Sequence, residues 1–151
     1  MKEQIIIREI EVTDAARIAG LNQELGYQVS SSLVERQLET ILTRKDQYGY
    51  VAIIEGEIAG YIHAFISIRL TSDPFLEIGG LIVAEQHRRA GVGRMLVEHL
   101  EEQVNGFGKM RVRCNVKRNA AHKFYSSLNF IENKEQKVFD KKLPGTNSEL
   151  P

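Results

Sequence analysis

From Tyr50 to Val83 apolar residues recur with a period of two, and immediately afterwards the period becomes that of a helix. This succession constrains the fold more than any other feature of the chain. "YVAIIEGEIAGYIHAFISIRL" reads as two β-strands joined at Glu55-Gly56-Glu57, and Asp73-Pro74 turns the chain into a third strand, Phe75 to Val83. Val92, Met95, Leu96, Leu100 and Val104 then form one helical stripe that stops at Asn105-Gly106. A chain committed to three successive strands and a helix must bury a sheet face under helices.

The flanking segments extend the pattern. Ile5 to Ile10 is β-branched, and Thr13-Asp14 caps a helix carrying Ala15, Ile18, Leu21 and Leu25, which Gly26 ends. A second helix begins at Ser31 or Ser32 and places Leu33, Val34, Leu38, Ile41 and Leu42 on one face. "MRVRCNV" reads as a strand with Met110, Val112, Cys114 and Val116 on one face, Arg118 to Leu128 as a short helix, and "FIENKEQKVFDKKL" as one or two closing strands. The expected architecture is α/β in layers, with a mixed sheet covered by helices. No repeat or interior linker interrupts it, so residues 1–143 are expected to form one domain and 144–151 a disordered tail.

Composition limits what such a domain can do. Twenty basic and twenty acidic residues cancel, so no global field draws the chain to nucleic acid or to a membrane, and any anion site must be local. One cysteine excludes an intramolecular disulfide framework, and Cys114 reads as a packed strand residue. The first residues read as a strand rather than a signal peptide, and no apolar run approaches the roughly 20 residues of a membrane span. A cytoplasmic protein is expected. His63, His87, His99 and His122 lack metal-ligand spacing, so no metal site is expected; His63 reads as a hydrogen-bonded core histidine.

The junction between the third strand and its helix, "RRAGVGR", carries the chemistry. Gly91 and Gly93 lack a Cβ, so the turn can adopt unusual dihedrals and aim successive N–H groups at a ligand. The first helical turn adds further donors and a partial positive charge, and Arg88, Arg89 and Arg94 add formal charge, which together suit phosphate. A dinucleotide fingerprint would need glycine where Leu96 stands, and a Walker loop would need Gly-Lys-Ser/Thr. A plain strand-to-helix turn with solvated arginines stays open on these residues alone.

Arg/Gln-x-x-Gly-x-Gly/Ala after an apolar strand is the acetyl-CoA pyrophosphate loop of the GNAT N-acetyltransferase superfamily, and "RRAGVG" resembles it position for position. "NVKRNAAHKFYSSLNF" resembles a second signature of that family, except that Asn129 takes the place of the usual glycine. Asn is the next best residue for a left-handed helix C-cap. The resemblance covers about residues 4 to 142. It implies a mixed, mostly antiparallel sheet of six to seven strands with splayed central strands, covered by about four helices.

It also implies roles. Backbone groups of Leu81, Ile82 and Val83 would pair with the pantetheine arm of acetyl-CoA. The segment Arg88, Arg89, Ala90, Gly91, Val92, Gly93 and Arg94 would hold the pyrophosphate. Asn115 would reach the pantetheine where the strands splay, and Tyr125 would point its hydroxyl at the sulfur and protonate the departing thiolate. Glu77 would be the base, at the spacing some histone-acetylating members use; Gly79-Gly80 would form the bulge that opens the splay. Plainer readings stay beside these: a turn residue for Asn115, a core ring for Tyr125, an exposed edge-strand glutamate for Glu77. The expected function is acetyl transfer to a primary amine of a small molecule or protein. Its rival is a non-catalytic acyl-CoA sensor, which would need neither Glu77 nor Tyr125. The acceptor's identity does not follow from the sequence, because it depends on a pocket between the first helices and the strand Tyr61 to Arg69, which His63 could line; edge strands leave a homodimer open.

Overall fold

The computed structural model describes residues 4–145. The chain divides into two compact units, the first ending at Arg113 and the second beginning at Cys114. In the first unit β1 (Ile5–Glu9), β2 (Gln47–Ile54), β3 (Glu57–Arg69), β4 (Ser72–Val83) and β5 (Met110–Val112) form one sheet in sequential order. Three pairings are antiparallel and the last, β4 with β5, is parallel. Helices α1 (Ala15–Glu24), α2 (Ser31–Ile41) and α3 (Val92–Gln103) belong to the same unit; α4 (Asn119–Ser127) lies in the second.

Local chemistry explains these boundaries. Glu55 and Gly56 both hold positive φ, 50° and 80°, the two-residue turn whose twist suits a hairpin. The β3–β4 turn falls at Leu70-Thr71, with Arg69 opposite Ser72, so Asp73-Pro74 sits inside β4 and does not make the turn. Gly26, at φ 88°, ends α1: its N–H bonds Gln23 and that of Tyr27 bonds Asn22, both orphan carbonyls of the last turn. The α2 cap is Ser30, one residue ahead of the expected serines, its Oγ accepting from Leu33 N–H at 3.1 Å. Before α1, Asp14 caps a short 3₁₀ turn through Glu11 N–H and receives the Arg8 guanidinium at 2.8 and 3.0 Å.

Helices pack on both faces of the sheet. Val51 is buried against Ile18, Val34 and Leu38 of α1 and α2, whereas the adjacent Tyr50 turns its ring edge onto His99 of α3. Consecutive residues of a strand face opposite sides, so α3 lies across the sheet from α1 and α2. Leu96, Val97 and Leu100 of α3 are fully buried, and Met95 is partly exposed.

The expected six to seven strands are not present; five are found among the described residues. "MRVRCNV" forms a strand only at Met110–Val112, and residues 130–143 form none. In that segment Ile131, Val138, Phe139 and Leu143 are exposed and their spacing marks no period-two face, while charged residues fill the intervals. The tail expected at 144–151 lies, from 146 onward, outside the described residues. Among the described residues no helix is long and apolar enough to cross a membrane.

Candidate active site

Two edges of β4 behave differently. One is paired with β3 along its length, from Arg69 opposite Ser72 to Gly60 opposite Val83. The other meets β5 only at Leu76, Glu77 and Ile78, and past Ile78 it has no strand partner among the described residues. Backbone polar groups of Gly79 to Val83 on that side are therefore presented to a ligand or to water. The β3–β4 register shifts there as well: His63 faces Gly80 and Ala64 faces Ile78, which leaves Gly79 as the extra residue of a bulge. A Cβ on Gly79 would lie 3.0 Å from His63 Nδ1 and 3.2 Å from Phe65, so only glycine fits without displacement.

The open edge runs straight into the arginine-glycine loop. After Val83 a 3₁₀ turn, Glu85–His87, leads to Arg88, whose Nε donates to Val83 O at 3.4 Å. Arg89 and Gly91 both take left-handed angles, φ 72° and 86°. Alternation of right- and left-handed residues turns successive N–H groups toward one point, a concavity that binds anions. Gly91 is the N-cap of α3, and a Cβ placed on it meets nothing within 4 Å. The space beside it is open, yet its φ disfavours any side chain. The helix ladder begins with Met95 N–H to Gly91 O at 3.0 Å, so the Val92 and Gly93 amides precede it. Those of Arg88 and Ala90 are taken by Glu85 and His87 carbonyls at 3.3 Å. The cradle rests on a fixed base, since Val92 is buried and packs where Gly60 leaves room. The residues fit a pyrophosphate and an extended arm along β4.

Glu77 stands on the last stretch of β4 that β5 still covers. It is buried, and both oxygens are engaged: Arg69 lies 3.5 Å from Oε1 and Arg113 Nε 3.1 Å from Oε2. The guanidinium of Arg111 and the ammonium of Lys109 lie 4.6 and 4.5 Å from the Phe75 ring centroid, and that of Arg69 lies 5.2 Å from it. Glu77 is thus the counter-ion inside a basic cluster rather than an exposed edge residue.

The second unit holds the other two expected residues. Asn115 is exposed; its Oδ1 accepts from Lys117 N–H at 2.9 Å, and its carbonyl meets His122 Nε2 at 2.9 Å. That is the turn geometry asparagine favours. Tyr125 is half-buried on α4, edge-on to Phe124 and Phe130, and burial pushes its phenol up to about 12. Asn129 takes φ 70°, its N–H bonding Ser126 and that of Phe130 bonding Tyr125, so it performs the left-handed cap that glycine usually supplies.

A pocket lies where one is expected, between the first helices and the strand from Tyr61, with partners that residue spacing does not reveal. A cavity of about 240 Å³ lies under α1 and α2 against β3, with Asn22, Tyr61 and His63 among its lining. Tyr61 Oη donates to Asn22 Oδ1, and His63 Nε2 pairs with Gln47 Oε1 at 2.6 Å. These partners come from separate elements, so only the fold brings them together. His63 is both the bonded core histidine expected and a wall of this space.

Comparisons with known proteins bear on the family and the fold. Residues 15–130 match the acetyltransferase (GNAT) family. The chain is 30% identical over 96 residues to an uncharacterized N-acetyltransferase of Chlorobaculum tepidum, a stretch covering 63% of this chain and 57% of that relative's length. Among solved structures it resembles the aminoglycoside N-acetyltransferase AAC(6')-Iy in complex with CoA, at a TM-score of 0.82 and 19% identity, covering 95% of this chain and 98% of the other. It also resembles glucosamine-6-phosphate N-acetyltransferase from Arabidopsis thaliana, at a TM-score of 0.75 and 23% identity, covering 91% and 100%. At these identities the structural likeness concerns the fold.

Proposed function

The chain belongs to the GNAT acetyltransferase family, and we propose that it is an acetyl-CoA-dependent N-acetyltransferase that passes the acetyl group directly to a primary amine of a small molecule or peptide. The observation that carries this reading is the open edge of β4 from Gly79 to Val83, continuous with the left-handed loop at Arg89 to Gly91. When bound, acetyl-CoA supplies an activated acetyl thioester. Amides of the loop and of Val92 and Gly93 would hold its pyrophosphate, with Arg88 and Arg89 adding charge and Arg94 standing on the first turn of α3. The backbone of Leu81, Ile82 and Val83 would pair with the pantetheine arm and aim an N–H at the thioester carbonyl. Family resemblance assigns Asn115 to the pantetheine and Tyr125 to the sulfur, and the place of action in this reading is the cytoplasm.

The reaction breaks the acetyl C–S bond and forms a C–N bond; from the ammonium two protons leave the nitrogen, one before attack and one as the amide forms, the second ending on the departing sulfur as free thiol. An alkylamine near pKa ~10.4 is mostly protonated at neutral pH, so its proton must be removed first. Glu77 would take that proton through water. A phenol at about 12 stays neutral and gives up its proton less readily than a thiol near ~8.5, so Tyr125 would stabilise the thiolate by donating a hydrogen bond. Calorimetric binding of acetyl-CoA together with thiol release against a panel of primary amines tests the proposal. Binding with no release against any amine would favour the acyl-CoA sensor.

A further inference from the structure

The cavity beneath α1 and α2 specifies what kind of amine this site accepts, an inference that rests on the transferase reading above. It opens at exposed Leu33, Gln37 and Leu42 of α2 and its border and ends inside at Tyr61 and His63 of β3. Its inner end adjoins the bulge. A Cβ on Gly80 would lie 3.8 Å from Tyr61 Oη, and one on Gly79 3.0 Å from His63 Nδ1. The two walls of the cavity's inner end are thus the side chains that lie against the two glycines where the β4 edge opens.

Its chemistry is uniform. Among the described residues no carboxylate and no cation lines it; the walls are aliphatic, and the polar groups are Asn22, Gln37, Tyr61 and His63. Asn22 Oδ1 is already satisfied by Tyr61, and burial holds the His63 imidazole below its ordinary pKa of 6.5, hence neutral. Gln47 Oε1 can only accept, so His63 Nε2 carries the proton and Nδ1 offers a lone pair on the Gly79 side. A cavity of about 240 Å³ exceeds the roughly 150 Å³ of an apolar cavity that admits benzene. It therefore has room for one ring or branched chain with a short arm. A ligand bearing further ammonium groups would bury each of them without a counter-charge, at a cost of several kcal/mol apiece by the usual penalty for unpaired buried charge.

We propose that the acceptor is an amine with a single basic nitrogen and a compact apolar body, an arylalkylamine or branched alkylamine, whose body fills this cavity and whose nitrogen is received at Tyr61 and His63 beside the bulge. Polyamines and aminoglycosides are excluded by the same walls.

The test compares kcat/KM, read as thiol release, for phenethylamine and isoamylamine against spermidine and kanamycin, alongside calorimetric acetyl-CoA binding. The compact amines should be preferred by about 10-fold or more, the scale on which one or two methylenes discriminate in an apolar pocket. Val29→Trp, which fills part of the cavity from its half-buried wall, should raise KM for phenethylamine by about 10-fold while acetyl-CoA affinity and the melting transition are unchanged. Gln37→Glu at the exposed mouth should narrow the preference over spermidine by about 2- to 5-fold, as a surface ion pair does. Preference of the parent for spermidine or kanamycin, or acetyl-CoA binding with no turnover of either compact amine, would overturn the proposal and leave cofactor binding intact. An unchanged KM in a folded Val29→Trp, or an unchanged preference in Gln37→Glu, would also overturn it. Absence of acetyl-CoA binding would instead remove the transferase reading on which it rests.

Discussion

In the proposed reaction Glu77 would take the amine proton and Tyr125 would donate a hydrogen bond to the thiolate, and their surroundings make the two roles separable. Glu77 lies between Arg69 and Arg113, so it either accepts the amine proton through water or only neutralises the basic cluster. If it is the base, Glu77→Gln should lower turnover by about 10²- to 10⁴-fold with acetyl-CoA affinity unchanged, and rate should recover at high pH where the amine is already free. Loss of thermal stability with a parallel pH profile would assign it to the ion cluster alone. Tyr125→Phe should cost less, about 10-fold, because the thiolate leaves tolerably without help; rates equal to the parent in an assay limited by chemistry would make the tyrosine a packing residue. The loop and the bulge were legible from Arg88 to Gly93 and from Gly79-Gly80 because backbone demands show directly as glycine. A pocket between the first helices and the strand from Tyr61, with His63 in its lining, was legible too; Asn22 and Gln47 were not, because their approach to Tyr61 and His63 is made by α1, β2 and β3 folding together.

At the level of elements, the strand β4, the loop and α3 form one continuous device. Gly91 is where it is most exposed to test, since φ 86° admits glycine readily and a β-branched residue poorly. Acetyl-CoA at 100 times its dissociation constant should stabilise the parent by about 2.7 kcal/mol, visible as a raised melting temperature. Gly91→Val should abolish that rise while the free protein still unfolds cooperatively; an unchanged response would move the pyrophosphate elsewhere. The period-two run and the helical stripes predicted β2, β3, β4 and α1 to α4, with α2 displaced by one cap residue. No strand forms where "FIENKEQKVFDKKL" predicts one or two. Val138-Phe139 lies within a run of charges, and apolar residues without alternation carry no information about a sheet face.

Across the whole molecule, acid should act in two stages. His63 has its folded pKa lowered by burial, so the unfolded state binds the proton more readily, and stability should begin to fall as pH drops below about 6.5. Asp14 behaves differently. Burial raises its pKa, but the Arg8 fork and the Glu11 amide outweigh that and leave it below the ordinary carboxylate range. Its stabilisation is complete above the unfolded value near ~3.9 and disappears as pH falls through the lower folded value. Chemical denaturation across pH should show both steps, with the upper one removed in His63→Gln and the lower one in Asp14→Asn; a profile flat down to pH 4 would contradict the first. The charge balance of the sequence excluded a global field, and the structure adds a local one around Phe75 and Glu77 that no residue count reveals.

Acetyl transfer itself is tested by following an isotopically labelled acetyl group from acetyl-CoA to a primary amine by mass spectrometry, with free thiol measured in the same reaction. One labelled N-acetyl product should form for each thiol released, and both should be lost in Gly91→Val. Acetyl-CoA that binds tightly at the loop yet is never consumed, whatever amine is present, would contradict the transferase reading.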